Sequence, residues 1–338
     1  MLLKKLTLTL GIVALSTVSF GQKKNITNAA LEYKKLKPML YMGTDIPGAK
    51  KSVIVAKEFI DLAAEHPETK EDQKMFWYKG EIYFALAMLV EMDSSISEIS
   101  SDDALATSLK AWEMGMTAGK KYTIDIEAAA NEKRSFAYMA ANEFWKQEKY
   151  GDAAEAYEAC AMISNSIGIL DTMLIYNSGI SYENDKNYEK AAEMYDQLAK
   201  VNYQGSKGAV LASNAYKKLG NNEKVIEILI AAQKDFPSDR DLLLGLVNAQ
   251  IDAGNAEGAE VALSAAIASD PNNPQLYYNS GTIYIELKRN QDAENALKKA
   301  LELKPDYVDA QYQLGAHLYN WAFQLKDEAA FLKIGDPR

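Results

Sequence analysis

Cysteine is almost absent from this 338-residue chain, where Cys160 stands alone. That excludes an intrachain disulfide framework and every CxxC metal or redox motif. Histidine is nearly as scarce: His66 and His317 are far apart, and His66 precedes a proline instead of opening an HExxH helix. Neither supports a metal centre. Basic residues are in deficit, 37 Lys+Arg against 47 Asp+Glu, and a net charge of −10 has the wrong sign for a general nucleic-acid binder. There is no GxSxG elbow, and the acidic Asp93–Asp103 segment lacks calcium-loop spacing and reads as a solvated loop. Gly115-Met116-Thr117-Ala118-Gly119-Lys120 is one residue short of a phosphate loop. Lys121 stands where Ser or Thr would sit, and the segment follows a helix, not a strand. No cofactor, metal or enzymatic activity is expected.

What remains is ordinary globular composition, 48% hydrophobic and 25% charged. The start of the chain is the exception. Lys4 and Lys5 precede an apolar stretch from Leu6 to Val18, followed by Ser19-Phe20-Gly21. A charged start, a short apolar core and small residues at −3 and −1 read as a signal peptide over 1–21, cleaved before Gln22. It resembles bacterial export signals, which implies the periplasm or outer envelope. Removing it takes two lysines from 37, leaving 35 basic against 47 acidic residues, net −12. No later segment reaches the ~18 continuous apolar residues of a membrane span, so no stable span is expected after cleavage.

The rest is organised by a period of 34. Pro237, Pro271 and Pro305 are spaced by it, and five residues before them stand Ala232, Ala266 and Ala300. Twelve before them come Val225, Ala259 and Ala293, and eight before them Leu229, Leu263 and Leu297. One period further back lie Gly179, Tyr182, Ala191, Tyr195 and Leu198; one forward lies Leu314-Gly315. Leu219-Gly220 and Ala253-Gly254 are helix C-cap signals, each leading into an Asn-containing turn. Upstream, Tyr150, Ala153, Tyr157 and Cys160 repeat Tyr188, Ala191, Tyr195 and Leu198 at an offset of 38. Cys160 thereby takes a close-packing position as a buried, inert thiol.

The stretch Tyr277-x-x-Ser280-Gly281-x-x-Tyr284, then Ala293, Leu297, Ala300 and Pro305, resembles the tetratricopeptide repeat family. The resemblance implies an all-α fold, a right-handed α-solenoid of stacked helix–turn–helix repeats. It places the repeat array at 134–320, with about eight helix pairs in the mature chain. Residues 22–133 read as divergent helical repeats with an acidic, serine-rich insertion at 93–103 and an extra connector at 119–133 that lengthens the following helix. Within them, Phe76, Gly80 and Tyr83 mark a first helix paired through Ala104 and Ala111. Residues 26–67 form another pair, with Val55, Phe59 and Leu62 on its inner face.

In this family the first helices line the concave face. Carried over by position, the groove holds Tyr138, Tyr176, Tyr278 and Tyr312 at one register, Asn142, Asn214 and Asn248 at another, and Asn177 and Asn279 at a third. Asparagine amides can donate to and accept from one peptide unit, and tyrosines add rigid amphipathic contact area. An extended peptide or protein tail is the expected partner, with no nucleic acid. The carboxylate-clamp pattern of lysine and arginine is missing, since Tyr176, Val210, Leu244 and Tyr278 occupy the lysine position.

After Trp321 the sequence offers only Glu328–Lys333, too short for a second helix plus cap, so 321–338 reads as an incomplete C-terminal cap edged by Phe323, Phe331 and Leu332. An alternative follows: a self-assembling envelope component that forms a homo-oligomer through this edge. The export reading makes one expectation concrete. Expressed in an exporting bacterial host, the secreted chain begins at Gln22 by N-terminal sequencing; a membrane-bound chain still carrying Met1 contradicts it.

Overall fold

The computed structural model describes residues 23–93, 96 and 99–334, the side chains of 327–334 excepted. The expected signal segment 1–21 and the side chains of Phe331 and Leu332 lie outside the described residues. Among the described residues the chain forms fifteen helices and no strand. It divides into two compact units, Met1–Glu148 with Glu155–Leu174, and Lys149–Ala154 with Ile175–Arg338.

The first unit begins with α1 (23–41) and α2 (Ile46–Glu65), followed by α3 (Gln73–Met92), α4 (Ser101–Ala118) and α5 (Thr123–Lys146). Most of α6 (Tyr150–Ser166) completes it. Its larger core joins Tyr33, Leu36 and Leu40 of α1 to Val53 and Ile60 of α2 and to Met75, Ile82 and Leu89 of α3. A second core gathers Trp112, Ile126, Ala130, Ile163 and Ile167.

Two details depart from the sequence reading. The inner face of α2 is Val53, Ala56, Ile60 and Ala63, all fully buried, while Leu62 is 53% exposed and Val55 and Phe59 are half-buried. Both stripes are apolar at helical spacing, and the one carrying alanines lets a neighbouring helix approach closest. The 93–103 segment is not a plain solvated loop: Asp93 pairs with Lys50 at 3.0 Å, Ile96 is buried, and residues from 101 onward already belong to α4. In the 119–133 connector 119–122 are non-helical and the remainder lengthens α5 to 24 residues, as the sequence reading has it.

The second unit carries α7 (Thr172–Asn184) for most of its length, then α8 (Tyr188–Lys200), α9 (Lys207–Lys218), α10 (Asn222–Asp235) and α11 (Arg240–Asp252). It ends with α12 (Ala256–Ser269), α13 (Pro274–Glu286), α14 (Asn290–Leu303) and α15 (Val308–Ile334). Here the 34-residue period acquires a physical cause at every joint. Each first helix stops at a left-handed residue: Lys186 (φ 64°), Gly220 (71°), Gly254 (66°) and Lys288 (58°), with Glu148 (60°) preceding them by the offset of 38. The following residue caps the second helix. Asn187, Asn221 and Asn255 accept from the backbone N–H three residues on, whereas Arg289 makes no side-chain cap bond.

The second helices end alike. Phe236, Asp270 and Lys304 leave helical geometry (φ −127°, −135° and −141°) before Pro237, Pro271 and Pro305, as the proline ring requires of its predecessor. Each still donates its N–H to the carbonyl of Ala232, Ala266 or Ala300. Between the paired helices, Gly179 faces the Tyr195 ring and Gly281 faces Leu297, so close that a Cβ at either glycine would come within 2.5 Å. Gly80 meets Trp112 in the same way in the first unit.

The last element differs from expectation. The sequence suggests a first helix followed by a short separate piece, but α15 is one helix of 27 residues, and Phe323 is 57% exposed instead of covering an edge. Nothing in Ala310–Leu325 breaks a helix except Gly315, and one mid-helix glycine costs only about 1 kcal/mol relative to alanine.

The turn register gives a clean test. A Cβ at Gly254 would meet nothing within 4 Å, so only its left-handed backbone resists substitution. Gly254→Ala should lower unfolding stability by about 1 kcal/mol, and Lys288→Gly should raise it by a similar amount, measured by urea denaturation.

Candidate peptide-binding surface

In the second unit, α9 and α11 are neighbouring first helices, and they place Asn214 and Asn248 at the same register. Both side chains are exposed, and neither amide has a hydrogen-bond partner among the described residues. Their backbone positions are held by buried neighbours, Ala212, Ser213 and Ala215 around one and Leu246, Val247 and Ala249 around the other. Two amides are thereby presented from rigid helices with donor and acceptor both available.

The tyrosines are more committed. Tyr176 is half-buried, its ring 5.6 Å from Tyr203, with the Lys207 ammonium 4.8 Å above it. Tyr278 lies 5.2 Å from Tyr307, whose hydroxyl donates to Gln275 Oε1. Each anchors the connection to the next hairpin with one face of its ring. Tyr312 on α15 is 76% exposed. Asn279 is half-buried and accepts from Gln275 Nε2 at 3.0 Å; Asn177 is half-buried between Tyr176 and the fully buried Ser178.

In the first unit, Tyr138 is 45% exposed, edge-on to Tyr157, and borders an open cleft of about 410 Å³ with Arg134, Met139 and Met173. Asn142 is occupied: its Nδ2 donates to the Tyr138 carbonyl at 2.8 Å and its Oδ1 accepts from the Tyr157 hydroxyl at 2.9 Å. This asparagine braces α5 against α6, a local bond that spacing in the sequence does not reveal.

Other sequence candidates resolve as structure. The Cys160 thiol is fully buried, and desolvation pushes it up to about 12, which leaves it inert near neutrality. The Gly115–Lys120 segment ends α4, and Gln73 Nε2 donates to the carbonyls of Gly115 and Gly119. His317 is buried with Nε2 3.0 Å from the Asn290 carbonyl. Among the described residues no group of three His, Cys, Asp or Glu side chains could hold a metal ion.

Sequence reasoning missed a buried ionic cluster in the first unit. Lys133 on α5 has no exposed side-chain surface and meets Glu81 of α3 at 2.6 Å, while Tyr33 of α1 donates to the same carboxylate at 2.6 Å. Glu132 bridges Lys133 and Lys37 at 3.0 and 2.8 Å. Burial alone would raise its pKa, but the two lysines outweigh that and hold it below the ordinary carboxylate range. Burial and then the Glu81 charge push the Tyr33 hydroxyl far up, so it stays a donor. A signal existed: Lys133 continues the apolar stripe of Ile126 and Ala130 at helical spacing, where a charge has to be paired. Glu81→Gln should therefore cost about 3 kcal/mol by removing the buried counter-charge of Lys133 and leaving it only the part-exposed Glu132, while Glu81→Leu with Lys133→Met should recover most of that in denaturant unfolding.

Comparison with known proteins bears on the repeats. Two tetratricopeptide repeat models match, over residues 218–280 and 274–307. Cellulose synthase operon protein C of Pseudomonas fluorescens (strain SBW25) is 28% identical over 97 residues, covering 29% of this chain and 8% of that protein. Protein O-mannosyl-transferase TMTC3 of Homo sapiens is 25% identical over 158 residues, 46% of this chain and 15% of its own length. The chain thus spans less than a sixth of either relative. Among solved structures, YrrB, a repeat protein with an unusual peptide-binding site, is 19% identical with a TM-score of 0.43, covering 57% of this chain and 97% of its own. TTC0263, a repeat protein of Thermus thermophilus, is 19% identical with a TM-score of 0.35, covering 55% and 99%. MamA is 16% identical with a TM-score of 0.43, covering 53% and 95%. The family models fall on the stretch where turns, caps and extended pre-proline bonds recur every 34 residues, and residues 218–307 match tetratricopeptide repeats.

Proposed function

We propose that this protein is a non-enzymatic scaffold of the bacterial envelope that holds an extended peptide or a partner's tail against the first helices of its hairpins. Tetratricopeptide repeats are protein-interaction modules, built so that a stack of helical hairpins presents one continuous face. The observation that carries the reading is the pair Asn214 and Asn248, which expose uncommitted amides at one register of adjacent first helices. A peptide backbone offers a donor and an acceptor per residue and can satisfy such amides without sequence-specific side chains. Tyr176, Asn177, Tyr278, Asn279 and Tyr312 extend this surface within the same unit. Tyr138 supplies a corresponding aromatic contact in the other unit, with Asn142 holding Tyr157 behind it.

The envelope location rests on the export signal at 1–21. The relative named as a cellulose synthase operon protein is in keeping with it, and no described helix is long and apolar enough to cross a membrane.

Peptides selected from a random displayed library against the folded protein test the reading directly. Asn214→Ala with Asn248→Ala should weaken the selected peptides by about tenfold in fluorescence anisotropy, the loss of two exposed hydrogen-bonding groups. Both side chains are exposed, so thermal stability should hold. Peptides bound equally by both proteins would place recognition elsewhere.

A further inference from the structure

Gly315 lies 34 residues after Gly281 and 136 after Gly179, at the register where those two glycines admit a large side chain from the paired second helix. At Gly281 and Gly179 the seat is filled by Leu297 and Tyr195; at Gly315 an added Cβ would meet nothing within 4 Å. The helix carrying it packs its other side on the last hairpin, with Ala310 and His317 buried. Gln311, Gly315, Leu318, Ala322 and Leu325 are all exposed, Leu318 by 36% and Leu325 by 51%. At 100° per residue the last four fall in one sector of about 80°, on the side of α15 where a second helix would sit.

We infer that this face is the seat of a second copy of the same chain, two α15 helices packing antiparallel about a two-fold axis level with Asn320. The pattern is self-complementary. In that register Gly315 faces Leu325 of the other copy and Leu318 faces Ala322, and the symmetry repeats both pairs in reverse. Every small residue meets a leucine, which is the interlock already used inside the hairpins.

Charge favours the same occupant. Each copy carries net −10, so two copies repel over most of their surface, yet Ala310–Leu325 contains no Asp, Glu, Lys or Arg in a chain that is 25% charged. Tyr319, 74% exposed, and Phe323, 57% exposed, flank the stripe. With Tyr312, Leu318 and Leu325 they offer about 600 Å² of side chain, approaching the ~800 Å² per partner of a standard interface. The inference is independent of the peptide-binding reading, because it shares only Tyr312 with that surface and rests on association in the absence of any peptide.

Sedimentation velocity of the full chain from about 1 to 200 µM should show mass rising from one to two copies with concentration. Gly315→Leu should raise the dissociation constant by about a hundredfold through overpacking at two symmetric contacts. It should not lower the melting temperature of the dilute protein, where the site is open and leucine is the better helix former. A mixture of Leu318→Cys and Ala322→Cys chains should cross-link on mild oxidation faster than either alone, with buried Cys160 as a silent background. A single mass at all concentrations overturns the proposal. So does association indifferent to Gly315→Leu, or cross-linking fastest for Leu318→Cys alone.

Discussion

The closeness of two helices within each hairpin is the constraint from which the rest of this structure follows. Where Gly179 meets Tyr195 and Gly281 meets Leu297, a side chain lies in the space a Cβ would need. Such an approach fixes the axial offset of the two helices, because a large residue can enter only where the opposing chain has no side chain. With the offset fixed, the connection has one short solution: a left-handed residue, then an asparagine cap, at Lys186-Asn187, Gly220-Asn221 and Gly254-Asn255. The length of the second helix is then set by its proline exit. A period of 34 is therefore the outcome of packing geometry, and the sequence repeats because each joint recurs.

This explains what could be read in advance. Prolines, turn glycines and small–large pairs each have one physical meaning and can be located by spacing alone, so the all-α repeat fold was legible. Lys186 and Lys288 were not, because they adopt the backbone of Gly220 and Gly254 without the residue type that signals it. The inner face of α2 was misassigned since two apolar stripes compete on one helix, and only the partner's shape decides between them. Lys133 was missed because a charged residue reads as solvated until three helices, distant in sequence, are seen to close over it. Of the candidate surface, the register of the asparagines was legible and their occupancy was not. Asn142 is spent on Tyr157, and Asn279 accepts from Gln275, through contacts that no repeat consensus encodes.

The two units are stabilised in different ways. The second is held by repetition of nearly identical joints, each contributing caps, a turn and an apolar interlock. The first has longer helices and a longer connection between α3 and α4, so the glycine contact Gly80–Trp112 spans 32 residues where the regular repeat spans 16. There the Lys133–Glu81–Tyr33 cluster ties α1, α3 and α5 together. A buried pair of this kind adds little net stability over apolar packing, but it penalises every arrangement that separates its members. It favours one packing of three helices that carry no common period to align them.

The same contrast separates the two surfaces of the second unit. An exposed amide such as Asn214 is solvated at almost no free-energy cost, so its presence on α9 and α11 is compatible with an unoccupied state. An exposed ring or leucine is different: Tyr312, Tyr319, Phe323 and Leu325 hold water against apolar surface continuously, at roughly 25 cal/mol for each Å² left uncovered. Elsewhere in the array such residues are covered by the next helix, and each glycine at the interlock register is filled. On α15 both conditions lapse together, on one helix and at one register, while charge disappears from the same sixteen residues. Solubility alone would put lysine and glutamate on that face, as it does on the outward sides of α8 and α14. Their absence is in keeping with the second copy inferred for that face.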